Sequence, residues 1–338
     1  MTNKEIEDIF NRFNSLKALV IGDVMIDSYL WGKVERISPE APVPIVTVNK
    51  RENRLGGAAN VALNIQALGG TPILCSIIGD ESKGDLFSEL LQKQDLTEEG
   101  IIKSKNRITT TKFRIIGNHS QMLRVDEEVD NDLSEKETLE LYNKIEKLLE
   151  NKKIDVIIFE DYDKGIITPL LISKVADLAS RKMIPLVADP KRKNFKNYQG
   201  ISLFKPNLKE LKEGLKLDFI SDNQSELSRA VDKLQTEKDI DIVMVTLSEA
   251  GVYVSKREKK DKSIAFKKII PAHIRNIADV SGAGDTVISI ASLCLALKLD
   301  INIIATLSNI AGGLVCEEVG VVPINKNKLF NEALHILQ

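Results

Sequence analysis

The chain has 338 residues, of which 43% are hydrophobic and 28% charged, a balance typical of globular proteins and not of disordered ones. Its formal net charge of −2 creates no overall field that would attract nucleic acid or an anionic membrane, so we expect neither as a partner. No segment approaches the ~20 apolar residues of a membrane span, and residues 1–14 do not resemble a secretion signal, so we expect a cytoplasmic protein.

Short apolar runs and helical tracts alternate over the first hundred residues. Lys17 to Ile21 is apolar and ends in Gly22-Asp23, which predicts a buried strand with polar groups at its carboxyl end. Val43 to Val48 alternates beside two prolines, as an edge strand does. The other elements predicted here are a helix opened by Gly56-Gly57-Ala58-Ala59-Asn60, a buried strand over Ile73 to Ile78 and a helix over Gly84 to Gln94.

A polar hairpin follows these elements. Thr109 to Ile116 and Gln121 to Val125 flank a turn formed by Gly117-Asn118-His119-Ser120. Both arms carry charged residues, which do not suit a buried parallel sheet, so we expect a separate small sheet beside the main one. We predict a single domain over residues 1–338, with a small β-sheet lid built from residues 34–54 and 108–126.

From about Leu133 onward, strands and helices alternate regularly, which predicts right-handed βαβ units and an α/β fold with a doubly wound, mostly parallel sheet. The predicted helices cover residues 135–150, 169–182, 225–238, 282–297 and 301–317, the last two closing the chain. The predicted strands cover residues 155–159, 185–188, 203–204 and 242–246, with a local hairpin over 252–269 that has a solvated lysine-rich turn at 256–262. Ligands of such sheets bind beyond the carboxyl ends of the strands, where the sequence has Asp23, Asp80, Asp161, Asp189 and Thr246.

The most specific chemical signal is Asp279-Val-Ser-Gly-Ala-Gly-Asp285, directly before a predicted helix. Gly282, Ala283 and Gly284 have little or no side chain, so their amides at a helix N-terminus can surround an anion such as a phosphoryl group in transfer. A carboxylate at Asp285 could then take the proton of an attacking hydroxyl. An Asp in the first turn of a helix is also a common cap, so this segment alone leaves a catalytic and a structural role open.

Three segments, in the expected order, make the chain resemble the ribokinase-like, or PfkB, family of carbohydrate kinases. Residues 56–62, with Gly69 and Gly79, match the first signature of that family, and residues 279–289 match the second, although Ile290 stands where Ala or Gly is usual. Asn207-Leu-Lys-Glu210 matches its Asn-x-x-Glu element. The resemblance implies an ATP-dependent sugar kinase in which Asp285 is the general base and residues 282–284 form the anion hole.

The resemblance also implies ligand contacts. Asn207 and Glu210 would position Mg²⁺ through water, although the same pair is typical of a helix cap with an acid in the first turn. The nucleotide-binding residues would be Thr246, Gly251 and Asn309. The sugar-binding residues would be Asp23, Asp27, Gly56, Gly57, Asn60 and Asp161, where the glycines alternatively form a tight turn.

Within that family, residues 22–27, 36–44, 121–126 and 160–165 are similar to the heptose-7-phosphate kinases that begin ADP-heptose synthesis. A phosphorylated sugar needs cations that a neutral sugar does not, whereas a solvated strand face would explain any single one of them. The candidates are Arg36, Lys112, Arg114, Arg124 and Lys164. Many such kinases are fused to an adenylyltransferase whose paired-histidine motif is absent here, so the resemblance implies the kinase half alone and a separate adenylyltransferase.

Two regions depart from the heptose-kinase pattern. Residues 191–193 and 317–321 lie where the resemblance predicts the border of the nucleotide or of a monovalent-cation loop, so both the nucleotide contacts and a requirement for a monovalent cation stay open. Exposed edge strands on the lid predict pairing with a second copy, which would make a homodimer through the lid.

Other functions remain open at this point. The chain could be a kinase of the same family that acts on ribose, fructose phosphate or a nucleoside, or a catalytically silent nucleotide-binding regulator. A dinucleotide-dependent oxidoreductase is disfavoured because no Gly-x-Gly-x-x-Gly follows the first strand at Ile21.

Overall fold

The computed structural model describes residues 1–118, 120–218, 224–258, 263–273 and 275–338. His119 of the predicted turn and residues 259–262 of the predicted lysine-rich turn lie outside these ranges. The strands are β1 (Lys17–Gly22), β2 (Val24–Ile37), β3 (Pro44–Gly57), β4 (Thr71–Gly79), β5 (Gly100–Ser104), β6 (Thr111–Gly117), β7 (Ser120–Glu127), β8 (Val156–Glu160), β9 (Leu186–Asp189), β10 (Leu203–Phe204), β11 (Ile242–Thr246), β12 (Val252–Arg257) and β13 (Ile264–Ile270). The helices are α1 (Asn3–Arg12), α2 (Ala58–Ala67), α3 (Ser82–Lys93), α4 (Glu135–Asn151), α5 (Pro169–Lys182), α6 (Leu208–Leu215), α7 (Gln224–Lys238), α8 (Ala283–Ala296), α9 (Ile301–Val315) and α10 (Lys326–Ile336).

The main sheet has the strand order β13-β12-β11-β10-β9-β8-β1-β4-β5 over the described residues. Pairs from β5 to β11 are parallel, and β12 and β13 add an antiparallel edge. Successive side chains of β1 enter different cores: Val20 packs with α2, α8 and α9, whereas Leu19 and Ile21 pack with α4 and α5. Both faces of the sheet are therefore covered by helices, which confirms the predicted doubly wound, mostly parallel architecture.

The small sheet is a separate four-stranded layer with the order β3-β2-β6-β7. It begins at Val24, ten residues before the predicted start at residue 34, because β2 runs on directly from the end of β1. The apolar start of β2, including Met25 and Ile26, is buried, and Ile26 packs into the core beside α2. The charged hairpin pairs β6 with β7, as predicted. β2 therefore connects the main sheet to the small one without a linker.

α1, β5 and α10 have no counterpart in the sequence-based prediction, and α6 was indicated only by the cap reading of Asn207. The prediction that two helices close the chain is wrong, because α10 follows α9 and packs on α1 through Phe10 and Phe330, whose ring centroids are 5.3 Å apart. The N-terminus of α1 has a capping box between Thr2 and Glu5, a signal that is visible in the sequence. Across the described residues, none of the helices combines the length and the apolar character that a membrane crossing requires.

Candidate active site

Asp285 lies in the first turn of α8 and is 4% exposed. Its carboxylate does not cap the helix; instead Asn60 Nδ2 donates to Oδ2 at 2.7 Å and the Tyr162 hydroxyl donates to Oδ1 at 2.6 Å. Burial raises the pKa of Asp285 to about 6, although these two hydrogen bonds act to lower it. The carboxylate is thus held from both sides and binds a proton more readily than an ordinary aspartate, as suits a general base.

The residues before Asp285 form a turn in which Gly282 is the constrained position. Gly282, the N-cap of α8, has φ of +81°, a left-handed conformation that favours glycine, and a Cβ there would lie 3.0 Å from Asn60 Nδ2. A Cβ at Gly284 would lie 3.5 Å from Lys205 Nζ. The Ala283 amide donates to the Val280 carbonyl at 3.3 Å and is therefore already engaged in this state. The turn leaves the N-terminus of α8 open to an anion next to Lys205.

Lys205 was not among the residues predicted from the sequence. It follows β10, is 2% exposed, and its Nζ lies 2.7 Å from Asp189 Oδ2 at the end of β9. Burial acts to lower the pKa of Lys205, but the charges of Asp189, Glu210 and Glu160 together outweigh it and the pKa is raised, so the ammonium stays charged. A lysine directly after the apolar pair Leu203-Phe204 is the signal that could have identified it, since lysines are rarely buried without a role.

Asn207 and Glu210 form a capping box at the start of α6, so their structural reading is correct: Glu210 N donates to Asn207 Oδ1 and Asn207 N donates to Glu210 Oε2. Glu210 Oε1 accepts from Lys191. In the same cluster, both carboxylate oxygens of Glu160 and Oδ1 of Asp189 are buried and have no hydrogen-bond partner among the described residues. These oxygens suit a hydrated Mg²⁺, which binds few protein carboxylates directly and takes waters and phosphate oxygens as its other ligands.

Direct coordination by the protein alone is not supported, because no three acidic, histidine or cysteine side chains within the described ranges converge as metal ligands. Glu160 lies at the end of β8, and burial raises its pKa well above the usual range, helped by the charge of Asp189. A bound cation would oppose that shift. The free oxygens of Glu160 and Asp189 fit Mg²⁺ held mainly through water, whereas Asn207 and Glu210 are already engaged in the helix cap, so their part in holding Mg²⁺ stays a prediction.

Asp23 and Asp161 both shape the loop that follows β8. Asp23 is 1% exposed, and its carboxylate accepts from the amides of Tyr162, Lys164 and Ile166. Asp161 is equally buried and accepts from the amide of Asp163 and from two side chains, Asn194 and Tyr198. Burial, followed by the charge of Asp23, raises the pKa of Asp161 to about 7. In this structure both carboxylates are engaged with protein donors, and contacts of either with a sugar stay predictions.

Asp27 lies on β2 and is 2% exposed, and its carboxylate pairs with the guanidinium of Arg114. The Asp27 carboxylate has room for this position because Gly56 has no side chain. A Cβ at Gly56 would collide with the carboxylate. Gly57 has φ of +60° and is the N-cap of α2, which carries Asn60. The tight turn therefore exists, and it brings Asp27 and Asn60 to the same side of the site.

The predicted cations differ in position. Lys112 lies over the ring of Tyr162, with Nζ 5.4 Å from the centroid, and the hydroxyl of that tyrosine donates to Asp285. Arg114 lies over the ring of Tyr29 and pairs with Asp27. Lys164 Nζ pairs with Glu128 at 2.7 Å. Arg124 pairs with Asp126 and is half exposed, and Arg36 is exposed near the far end of β2. The structure thus brings Lys112 and Arg114 to the site and leaves Arg36 and Arg124 toward its rim.

The predicted nucleotide-binding residues lie together at one edge of the main sheet. Thr246 ends β11 and forms a bridge with Asn207, which joins this region to the Asn-x-x-Glu element. The Gly251 carbonyl accepts from Leu247, and Asn309 Nδ2 donates to the Pro271 carbonyl at 2.8 Å. Binding of a nucleotide by these residues stays a prediction.

The departing segment 317–321 is linked to the small sheet and to the second signature. Gly320 N donates to Asp279 Oδ2 at 2.9 Å, Val321 N donates to the Tyr29 hydroxyl at 3.2 Å, and Arg54 donates to the carbonyls of residues 319 and 321. The Asp279 carboxylate also accepts from the Ser281 amide. Each oxygen of Asp279 thus accepts one amide hydrogen bond in this structure, and a requirement for a monovalent cation stays a prediction.

Comparison with solved structures identifies the fold. Phosphofructokinase-2 from Escherichia coli in complex with potassium superposes with a TM-score of 0.75 at 17% sequence identity, covering 94% of this chain and 98% of that one. Ribokinase from Arabidopsis thaliana, complexed with ribose and ATP, superposes with a TM-score of 0.67 at 16% identity, covering 93% and 98%. The fold is therefore ribokinase-like, as predicted.

Sequence comparison identifies relatives named bifunctional protein HldE. The protein from Geotalea uraniireducens is 34% identical over 337 residues, which are 99% of this chain and 66% of that protein. The protein from Aliarcobacter butzleri is 36% identical over 312 residues, which are 92% and 63%. The chain thus spans about two thirds of the length of these curated relatives. Residues 15–327 match the description "pfkB family carbohydrate kinase", so the chain belongs to the pfkB family of carbohydrate kinases, whose members are phosphotransferases with an alcohol group as acceptor.

Proposed function

We propose that this chain uses ATP to phosphorylate a hydroxyl of a sugar phosphate, namely the 1-hydroxyl of D-glycero-D-manno-heptose 7-phosphate. The observation that carries the reaction type is the buried carboxylate of Asp285, held by Asn60 and Tyr162 beside the open N-terminus of α8. The acceptor is supported by the HldE relatives and by two cations, Lys112 over the ring of Tyr162 and Arg114 paired with Asp27.

The sugar oxygen attacks the γ-phosphorus, the bond between that phosphorus and ADP breaks, and the hydroxyl proton passes to Asp285. The amides at the start of α8 and the ammonium of Lys205 stabilise the negative charge that spreads over the phosphoryl oxygens. Mg²⁺, when held through water by Asn207 and Glu210, would neutralise charge on the phosphates. The small sheet, acting as a lid over the sugar, would exclude water that otherwise hydrolyses ATP.

The acceptor is tested by measuring ADP release with a panel of sugars and sugar phosphates that includes ribose, fructose 6-phosphate, a nucleoside and heptose 7-phosphate. We expect heptose 7-phosphate to give the highest kcat/KM. Turnover of unphosphorylated sugars alone would contradict the heptose assignment but retain the kinase. No turnover of any acceptor, with ATP still bound, would instead favour a silent nucleotide-binding regulator.

Lys112→Met is expected to raise the KM for the sugar phosphate about tenfold with a smaller change in kcat, because a charge-assisted hydrogen bond to a phosphate contributes about 1.5–3 kcal/mol. Burial lowers the pKa of Lys112, so part of the cost of burying this charge is recovered when a phosphate binds. Lys153→Met, which changes an exposed lysine beside Asp155, is the control. An unchanged KM in Lys112→Met would remove this residue from the sugar-phosphate site.

The pH dependence follows from Asp285. A general base acts when deprotonated, so with a pKa of about 6 the activity should be full above pH 7 and fall as the pH drops through 6. The groups that face Asp285 are Tyr162, Asn60, Asp189 and Lys205. Substrate phosphates also titrate near pH 6, so the carboxyl carbon-13 shift of Asp285, assigned with Asp285→Asn, provides the direct measurement. A titration midpoint of that carbon-13 shift near pH 4 would contradict the raised pKa of Asp285.

We also propose a homodimer through the lid. On β7, Leu123 and Val125 are 54% and 43% exposed and lie opposite the apolar residues Ile115 and Phe113 of β6, on the face turned away from Arg114. Light scattering at micromolar concentration should give twice the mass of the chain, and Leu123→Asp should halve it. Met183→Asp, at an exposed methionine after α5, should leave the mass unchanged. A monomeric parent protein would contradict the dimer.

A further inference from the structure

Tyr162 lies in the loop after β8 and is not assigned a role by any of the matched sequence patterns. Its hydroxyl donates to Asp285 Oδ1 at 2.6 Å, while Asn60 occupies Oδ2. Asn60 is fully buried on α2, whereas Tyr162 is only half-buried. A sugar hydroxyl that gives its proton to Asp285 must reach one of these two oxygens, and Tyr162 is the less buried of the two donors that it would have to displace.

The ring of Tyr162 is held by two lysines from opposite parts of the site. Lys112 Nζ from the small sheet and Lys191 Nζ from the loop after β9 each lie 5.4 Å from the ring centroid. Lys191 also pairs with Glu210. The Tyr162 amide donates to Asp23 Oδ2 at 2.7 Å, which fixes the backbone but not the ring. Phosphate groups of the two substrates would attract these ammonium groups away from the ring, which would weaken its hold.

We propose that Tyr162 occupies the place of the acceptor hydroxyl on Asp285 until the sugar binds, and so keeps water away from the base. A water bonded to Asp285 at this place would be activated for hydrolysis: its oxygen would attack the γ-phosphorus, the bond to ADP would break, and its proton would pass to Asp285. Burial and the charge of Asp285 raise the pKa of the Tyr162 phenol well above its usual range, so the phenol keeps its proton while it donates to Asp285. This inference rests on the proposed role of Asp285 as the base.

Tyr162→Phe tests the inference, because it keeps the ring beside Lys112 and Lys191 and removes only the hydroxyl. With saturating ATP and Mg²⁺ and no sugar, inorganic phosphate release should rise about tenfold, as expected when one hydrogen bond of about 1.4 kcal/mol no longer excludes water. With saturating heptose 7-phosphate, whose hydroxyl takes the place of the phenol on Asp285, the added phosphate release should disappear. Lys112→Met, which loosens the ring, should also raise hydrolysis without sugar and gives a second, independent variant.

Tyr142→Phe is the matched control. Tyr142 also donates its hydroxyl to a carboxylate, Glu146 at 2.8 Å, and also has a lysine, Lys174, 4.9 Å from its ring centroid, but it lies on α4 away from the site. Its hydrolysis rate should equal that of the parent protein. The double variant Tyr162→Phe with Asp285→Asn should lose the added hydrolysis, because no carboxylate remains to accept the proton.

The outcomes separate this inference from the proposed function. If the parent protein phosphorylates heptose 7-phosphate but neither Tyr162→Phe nor Lys112→Met hydrolyses ATP faster, the inference is overturned and the kinase assignment stands. If Tyr162→Phe loses transfer and hydrolysis together, Tyr162 serves to orient Asp285 and the inference is overturned. If no sugar is phosphorylated but Tyr162→Phe hydrolyses ATP faster than Tyr142→Phe, the acceptor assignment fails and the inference is supported.

Discussion

Asp285→Asn is expected to lower turnover about a hundred- to ten-thousandfold, the range associated with loss of a positioned general base. The amide is uncharged at all pH values and cannot take the proton of the sugar hydroxyl. Since Asn keeps the shape of the side chain and can still accept from Tyr162, ATP should bind with an unchanged affinity. Burial disfavours the charged carboxylate, so its removal should leave the temperature of unfolding unchanged or raise it.

The control for this prediction is Asp300→Asn. Asp300 is the N-cap of α9 and accepts from the Asn302 amide at 2.9 Å, which is the structural role that the sequence left open for Asp285. The Asp300→Asn variant should retain normal turnover with a small loss of stability. Coupled measurement of ADP release, together with calorimetric ATP titration, distinguishes loss of chemistry from loss of binding. Near-normal turnover of Asp285→Asn would refute its role as the base.

The sequence predicted the main sheet well because its strands carry local signals. Lys17 to Ile21 and residues 156–159 are continuous apolar runs, as strands buried on both faces are, and the helices between them have one apolar face. β5 and α10 were missed for a physical reason: β5 is a short edge strand stabilised by its pairing with β4, and α10 buries only Leu329 and Ala333. Tertiary contacts, and not local pattern, determine such elements.

For the site, the sequence identified groups with a local pattern and missed those that depend on distant partners. Asp285 and Asn60 belong to recognisable segments, but their direct hydrogen bond joins residues 225 positions apart. Lys205 lies in no matched segment, and Tyr162 lies in the matched segment 160–165 without a role assigned to it, so their roles follow from which atoms they face after folding. For Asp23, the sequence predicted its place at the end of β1 but not the three amides from which its carboxylate accepts.

Lys205→Met is expected to lower kcat/KM about a hundred- to thousandfold, the loss associated with removing one preorganised donor to a developing negative charge. The ammonium lies beside Gly284 and is fixed by Asp189, so it would need no reorganisation as charge moves onto the phosphoryl oxygens. The substitution also leaves Asp189 buried without its main partner, and breaking a buried pair costs about 3–5 kcal/mol of stability. Activity alone therefore cannot separate the two effects.

The double variant Asp189→Asn with Lys205→Met separates them. Removing both charges avoids a lone buried carboxylate, so much of the lost stability should return, as thermal unfolding would measure. Activity should stay low, because the site still lacks the cation that faces the start of α8. Lys152→Met, which breaks the remote pair with Glu99, should leave kcat/KM unchanged. Recovery of activity along with stability would mean that Lys205 serves only to neutralise Asp189, and transfer would then depend on the helix amides and Mg²⁺ without it.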